Sequence, residues 1–201
     1  MEPDPAPAPA PELPSYVGLA LGDIELVATA AAAEAACRQL MSEPLLGFDT
    51  ESKPTFAKGE ASTGPHLVQL ATESRAWLFP VRLTGHHPAL RALLEAPGVL
   101  KIGFGLRDDL VRMRERLGID MQGVLDLSSA LPREAPGKAL GARSAVQRYL
   151  GQKLHKSRRV TTSNWANPRL NERQMLYAAN DAQVALRIYR LALAAGDLDP
   201  N

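Results

Sequence analysis

Two acidic side chains, Asp49 and Glu51, stand at the end of a strand-like run. The run covers residues 45–51 and reads Leu-Leu-Gly-Phe-Asp-Thr-Glu. Because side chains alternate along a strand, both acids point to the same face, about 7 Å apart. Such a pair of hard oxygen ligands suits Mg²⁺ or Mn²⁺. On this run alone, two solvated acids at a strand end are the better interpretation.

A second pair of acids, Asp108 and Asp109, follows a glycine-containing turn. Residues 101–109 read Lys-Ile-Gly-Phe-Gly-Leu-Arg-Asp-Asp, without the third glycine of a dinucleotide-binding loop. A helix over residues 106–117 would bury a stripe made of Leu106, Leu110, Met113 and Leu117. Asp109 lies about 70° from the centre of that stripe, and Asp108 lies nearly opposite it. We therefore predict that Asp109 faces the interior, whereas Asp108 faces water and complements the helix dipole.

A third acid, Asp181, lies on the predicted buried face of the final helix. Its 4–3–4–3 spacing places five side chains on that face, namely Tyr177, Asp181, Val184, Ile188 and Leu191. A buried aspartate is costly unless it is paired or bound to a metal. From these residues alone, a metal site shared with Tyr177 and an aspartate paired with an arginine are equally good explanations.

The elements that position these acids form a mixed pattern of strands and helices. Periodicity predicts strands over residues 45–51, 66–71, 76–81, 99–103 and 124–127. It predicts helices over residues 29–41, 88–96 and 106–117, within 139–150, and over 172–195. Asn171 and Gln174 form a capping-box pattern at the start of the last helix. The expected fold class is α/β, a mixed β-sheet flanked by helices in a single domain.

Composition excludes several classes of protein. The 201 residues are 45% apolar and 22% charged, as expected for one globular domain. Proline and alanine dominate the start, so residues 1–15 are predicted to be a disordered tail and residues 16–201 the folded domain. The lone Cys37 excludes a disulfide framework and favours a cytoplasmic location. No apolar run approaches the roughly 18 residues of a membrane span, so no membrane contact is expected.

The net charge of +1 hides an asymmetry along the chain. Residues 1–60 hold ten acids and three bases, a balance of −7, whereas residues 133–173 hold ten bases and two acids, a balance of +8. The basic segment includes Lys156, Arg158 and Arg159. A stripe of this density suggests a phosphate-rich partner, although a solvated surface is an equally good interpretation of charge alone.

Taken together, the three motifs resemble those of the tyrosine-bearing branch of the DEDD superfamily of 3′→5′ exonucleases. That branch includes ribonuclease D, the Werner-type exonuclease domain and the proofreading domains of family A DNA polymerases. Residues 48–51 are similar to its first motif, 101–109 to its second and 177–181 to its third. The histidine branch would carry a histidine at the position of Leu176. Similarity to the Werner-type domains extends over residues 163–165 and 171–189, and the whole resemblance covers about residues 23–193.

The resemblance implies a ribonuclease-H-like fold and hydrolysis of terminal phosphodiester bonds with two divalent metal ions, Mg²⁺ or Mn²⁺. Asp49, Glu51 and Asp181 would hold the metal that activates water, while Asp49 and Asp109 would hold the second. Tyr177 would orient the attacking water. The partner would be the 3′ end of single-stranded DNA or RNA, which would be shortened with release of nucleoside 5′-monophosphates.

In that reading, the basic segment would guide a single strand into the site through Lys156, Arg158 and Arg159. The motifs do not distinguish DNA from RNA, and they leave the oligomeric state open. The alternative is a catalytically idle nucleic-acid-binding or scaffolding module of the same fold. Retention of all four acids and of Tyr177 argues against that alternative.

Overall fold

A six-stranded mixed sheet forms the centre of the molecule. The computed structural model describes residues 12–55, 60, 62–155, 157–167 and 169–199. The strands are β1 (Ile24–Leu26), β2 (Leu45–Glu51), β3 (Leu67–Ala71), β4 (Ala76–Pro80), β5 (Leu100–Gly103) and β6 (Val124–Asp126). Their order across the sheet is β1-β4-β3-β2-β5-β6. The central β2 pairs antiparallel with β3 and parallel with β5.

Seven α-helices accompany the sheet within the described residues. They are α1 (Ala30–Leu40), α2 (Pro88–Glu95), α3 (Arg107–Arg112), α4 (Leu127–Ala130), α5 (Ala142–Leu150), α6 (Arg158–Thr161) and α7 (Glu172–Ala194). The predicted mixed sheet with flanking helices is confirmed. The predicted helix over 106–117 is α3 followed by wider π-helical turns at Met113–Leu117. Three short elements, β1, α4 and α6, were not predicted, because three or four residues carry too little periodicity.

Two apolar cores lie on opposite faces of the sheet. One face packs against α1 and α2, and its core includes Phe48, Leu70 and Trp77. The other face packs against α5 and α7, with Ile102 and Ala182 among its buried residues. Since side chains alternate along β2, Leu46 and Phe48 point to the first face, and Asp49 and Glu51 point to the second.

The start of the described chain lies against the domain. The backbone of Lys153 donates to the Pro14 carbonyl over 2.8 Å and accepts from the Tyr16 amide over 3.0 Å. Most of the predicted tail, residues 1–11, lies outside the described residues, so the proposed boundary at residue 16 stays a prediction. Among the described helices, none combines the length and the apolar character that crossing a membrane requires.

Candidate active site

The long helix α7 carries Tyr177 and Asp181. Its start is defined by the predicted capping box: the Gln174 amide donates to the Asn171 side chain over 3.0 Å, and the Asn171 amide donates to the Gln174 side chain over 3.1 Å. Asp181 is 7% exposed, so its predicted burial is confirmed. The prediction for Leu191 is wrong, since this side chain is 37% exposed. At 3.6 residues per turn the buried face continues at Ala192 instead.

A glycine on β2 brings that strand and α7 into backbone contact. A Cβ atom at Gly47 would lie 2.0 Å from the carbonyl oxygen of Ala182, so no larger residue fits without displacing the helix. Gly47 is on the same strand face as Asp49 and Glu51. Its close contact therefore places the acids of β2 beside Asp181, which precedes Ala182.

Three carboxylates meet at this contact. Asp49, Glu51 and Asp181 each offer one oxygen, and these oxygens all lie within 4.8 Å of one another. Asp49 also accepts a hydrogen bond from the Thr50 amide over 2.9 Å, which orients its carboxylate. Three partly or fully buried carboxylates form a hard-oxygen donor set that fits a divalent cation such as Mg²⁺ or Mn²⁺. Positive charge there would also offset their mutual repulsion.

The fourth predicted acid, Asp109, is positioned by a turn between β5 and α3. Gly105 adopts a φ of +68°, which favours glycine. The Asp126 carboxylate at the end of β6 holds this turn by accepting hydrogen bonds from the amides of Gly105 and Leu106, over 2.7 and 2.9 Å. The side chain of Asp109 is 14% exposed and that of Asp108 is 78% exposed. The predicted inward and outward orientations are thereby confirmed.

Asp109 is not a member of the group of three acids. Its Oδ1 accepts a hydrogen bond from the Thr50 hydroxyl over 2.5 Å and lies 3.4 Å from the Arg112 guanidinium. Burial raises the pKa of the Asp109 carboxyl, while the Thr50 hydrogen bond and the Arg112 charge oppose that rise. The structure thus links the fourth acid to β2 through Thr50, the residue between Asp49 and Glu51.

Tyr177 lies one helical turn before Asp181, and its neighbours orient its ring. The Thr161 hydroxyl of α6 donates to the Tyr177 hydroxyl over 3.2 Å. The ring packs at a tilt against Trp165, with centroids 6.0 Å apart. Trp165 is itself buried, and its indole donates to the Thr161 carbonyl over 3.3 Å. Trp165 therefore packs against the Tyr177 ring and helps to hold its orientation.

A groove of about 950 Å³ opens beside these residues, between α6 and α7. Tyr177 and Asp181 line it together with Arg159, one of the predicted nucleic-acid-binding residues. Arg158 is exposed on the same short helix. The third predicted basic residue, Lys156, lies outside the described residues.

Sequence reasoning missed the residues that support Asp109. Arg112 follows Asp108 and Asp109 by four and three residues, so the spacing of ion pairs on a helix is a signal that could have identified it. Thr50 lies inside the first acidic motif, but no local pattern reveals a contact across 59 residues. Asp126 lies within a predicted strand, and only the order of the sheet shows that it faces the glycine turn.

The chain belongs to the 3′–5′ exonuclease family, whose sequence profile matches residues 24–191. This is a family of nucleases. Mouse bifunctional 3′–5′ exonuclease/ATP-dependent helicase WRN is 28% identical over 161 residues, covering 79% of this chain and 12% of that protein. Exonuclease 3′–5′ domain-containing protein 2 of Drosophila melanogaster is 35% identical over 148 residues, covering 73% and 25%. The chain thus spans only a minor part of these two relatives.

Solved structures show the same fold. The Nibbler EXO domain of Aedes aegypti superposes with a TM-score of 0.75 at 27% identity, covering 92% of this chain and 95% of that one. Ribonuclease D of Trypanosoma brucei in complex with RNA superposes with a TM-score of 0.71 at 20% identity, covering 89% and 63%. The expected ribonuclease-H-like exonuclease fold is therefore confirmed.

Proposed function

We propose that this chain is a metal-dependent 3′–5′ exonuclease that hydrolyses the terminal phosphodiester bond of nucleic acid and releases nucleoside 5′-monophosphates. The observation that supports this proposal best is the meeting of Asp49, Glu51 and Asp181 within 4.8 Å, beside a groove that also contains Tyr177. The match to the exonuclease family supports the reaction type. A related fold that binds RNA supports a nucleic acid as substrate.

In this proposal the four acids hold two divalent ions, Mg²⁺ or Mn²⁺. Asp49, Glu51 and Asp181 are assigned to the first ion, and Asp49 together with Asp109 to the second. Bound at these positions, the ions would supply an activated water and stabilise charge on the leaving 3′-oxygen. Thr50 keeps Oδ1 of Asp109 in place by its hydrogen bond.

We assign Tyr177 to orient the attacking water by hydrogen bonding. Two contacts support this role, since the Thr161 hydroxyl fixes the phenol oxygen and Trp165 supports the ring. A side chain whose direction is set by packing places a reacting water without a further loss of conformational freedom.

The groove supports a single strand as substrate. Arg159 lines it beside Tyr177 and Asp181, where a guanidinium can neutralise a backbone phosphate. Arg158 on the same helix would extend the basic path, and Lys156 is assigned to this role from its sequence position alone. A path of this kind attracts a phosphate backbone whatever its base sequence.

Degradation of a 5′-labelled oligonucleotide tests the proposal. Single-stranded DNA and RNA are incubated in parallel with Mg²⁺, Mn²⁺ or EDTA, beside the Asp181→Ala variant. We expect a ladder that shortens from the 3′ end, requires metal and is absent in the variant. Binding without cleavage on single strands, recessed duplexes and structured RNA would instead identify an idle nucleic-acid-binding module.

A matched pair of variants tests the basic path. Arg159→Gln should weaken binding of a single strand and lower the salt slope by about one charge. Arg38→Gln is the control, because Arg38 is exposed on α1 at the other face of the sheet. Equal salt slopes for the two variants would show that Arg159 does not contact a phosphate of the bound strand.

A further inference from the structure

A fully buried glutamine on β3 has no hydrogen-bond partner among the described residues. Both Oε1 and Nε2 of Gln69 are buried and unpaired. Gln69 is also the single polar residue of its strand, Leu67–Ala71. Because a buried carboxamide without partners is costly, its presence requires an explanation.

The register of the sheet places Gln69 directly opposite Asp49. Opposite residues in an antiparallel pair share a face, and their Cβ atoms lie about 5 Å apart. Gln69 therefore lies on the face of the sheet that carries Asp49 and Glu51, next to a candidate metal ligand. A carboxamide is long enough to span this distance, and its Nε2 carries two protons that can be donated.

The neighbours of Gln69 on the same face of its strand are apolar. The adjacent same-face residues on its strand, Leu67 and Ala71, pack in one cluster with Ala178 and Ala182 of α7. These side chains offer a carboxamide no partner, whereas the Asp49 carboxylate on the neighbouring strand does. Since the Thr50 amide holds Oδ1 of Asp49 from within the strand, a donor on β3 would hold the same carboxylate from across the sheet.

We propose that Gln69 is a positioning residue of the carboxylate site, whose Nε2 donates to Asp49 when that carboxylate binds a divalent metal. This inference rests on the metal site of the proposed function. Carboxylates that bind metals are themselves held by hydrogen bonds, and loss of such a partner typically lowers metal affinity about 10- to 100-fold. The side-chain amide of Gln69 then gains a hydrogen-bond partner when the metal site is occupied, rather than stabilising the metal-free fold.

Replacement by an apolar side chain of similar length tests this role. In Gln69→Met we expect the metal-free protein to unfold at the same or a higher temperature, since two unpaired polar atoms are removed. We expect the Mg²⁺ concentration that half-saturates the metal-induced rise in Tm to increase about tenfold. A residue with a purely structural role would give the reverse, a lower metal-free Tm with an unchanged metal response.

Trp77→Phe is the matched control. Trp77 is equally buried, and its Nε1 is also without a partner among the described residues, but it points to the opposite face of the sheet. Its variant should keep the wild-type metal response. The inference is overturned if wild type and Trp77→Phe bind Mg²⁺ and the half-saturating Mg²⁺ concentration of Gln69→Met lies within twofold of theirs. If wild type itself does not bind Mg²⁺, the proposed function fails as well.

The side-chain amide of Gln69 gives a second measurement in the wild-type protein, should Gln69→Met fail to fold. We expect one Nε2 proton signal to shift and to exchange more slowly on addition of Mg²⁺, and Asp49→Asn to abolish this change. If saturating Mg²⁺ leaves the Nε2 proton signals of Gln69 unchanged, the inference is overturned, whereas the proposed reaction is not contradicted.

Discussion

The two faces of the central sheet each bury charge, and they accommodate it differently. On the face beneath α1 and α2, Lys101 is fully buried, and its ammonium donates to the Ala96 carbonyl over 2.8 Å. On the face beneath α7, Asp181 is almost as buried but lies within 4.8 Å of two further carboxylates. We call these the closed face and the carboxylate face.

The closed face offsets only part of the cost of its buried charge, and it does so with groups of its own fold. Ala96 follows the last residue of α2, Glu95, where the helix dipole is negative, so the fold itself offsets part of the cost of the Lys101 charge. The carboxylate face instead concentrates charges of one sign beside an open groove. Such charges are balanced best by a ligand of opposite charge from outside, which is why this face is the candidate active site.

The largest expected effect is that of Asp181→Asn. Activity should fall by about 10³-fold or more, because a metal ligand is lost. The free energy of unfolding in EDTA should rise, since one of three repelling carboxylates is removed. Oligonucleotide degradation and urea unfolding measure the two quantities. A variant that is less stable in EDTA would contradict the statement that these acids repel one another on the carboxylate face.

Tyr177→Phe should lower turnover about 10- to 100-fold, because a hydrogen bond to a charged group contributes about 1.5–3 kcal/mol and each ~1.36 kcal/mol is tenfold in rate. The midpoint for metal activation should not change, since the phenol is not assigned as a ligand. Steady-state kinetics over a Mn²⁺ series separate the two quantities. A shifted midpoint with unchanged maximal turnover would place Tyr177 in metal binding instead.

Thr50→Val tests whether a residue between the two acids of β2 serves Asp109. Loss of the hydroxyl should lower activity about tenfold, as expected when a ligand loses a hydrogen-bond partner. Thr84→Val is the control, because the buried Thr84 hydroxyl donates to the Val27 carbonyl on the closed face. That variant should lose stability and keep its activity. Equal activity losses in both variants would contradict the assigned role.

Lys101→Met should leave activity unchanged. Its effect on the free energy of unfolding should depend on pH. Burial lowers the pKa of Lys101 from 10.5 to about 8. Below pH 8 both the folded and the unfolded chain carry the proton, so the folded protein bears the full penalty of a buried charge. Between about pH 8 and pH 10.5 only the unfolded chain keeps the Lys101 proton, so the free energy of unfolding rises with pH.

The comparison with the variant isolates this contribution. Wild type should gain on the order of 3 kcal/mol relative to Lys101→Met between pH 7 and 10.5, because burial lowers the pKa of Lys101 from 10.5 to about 8. Urea unfolding of both proteins at several pH values measures the difference. A difference that stays constant over this range would show that the buried ammonium carries no such penalty.

Much of the fold was predictable from local patterns. The alternation in residues 45–51 predicted β2 with its observed bounds, and the capping pair Asn171 and Gln174 predicted the start of α7. Helical angles alone separated the inward Asp109 from the outward Asp108. Each of these features depends on neighbours within a few residues, where backbone geometry is regular.

Other features depend on contacts between distant parts of the chain. Leu191 was misplaced because the buried face of α7 follows the true helical repeat to Ala192. Strand β1 became recognisable only through its pairing with β4. Whether the acidic motifs form an active site or only ion pairs was undecidable from spacing, since separation along the chain does not report separation in space.

The sequence by itself determined most of the helices and strands, the facing of each acid within its own element, and the resemblance of the three motifs to an exonuclease. The tertiary structure decided which acids meet: the close contact of Gly47 with α7 joins Asp181 to β2, and Thr50 links Asp109 to the same strand. It also decided that Gln69 lies opposite Asp49. The physical reason is that periodicity specifies directions within an element, whereas sheet register and helix packing specify distances between elements.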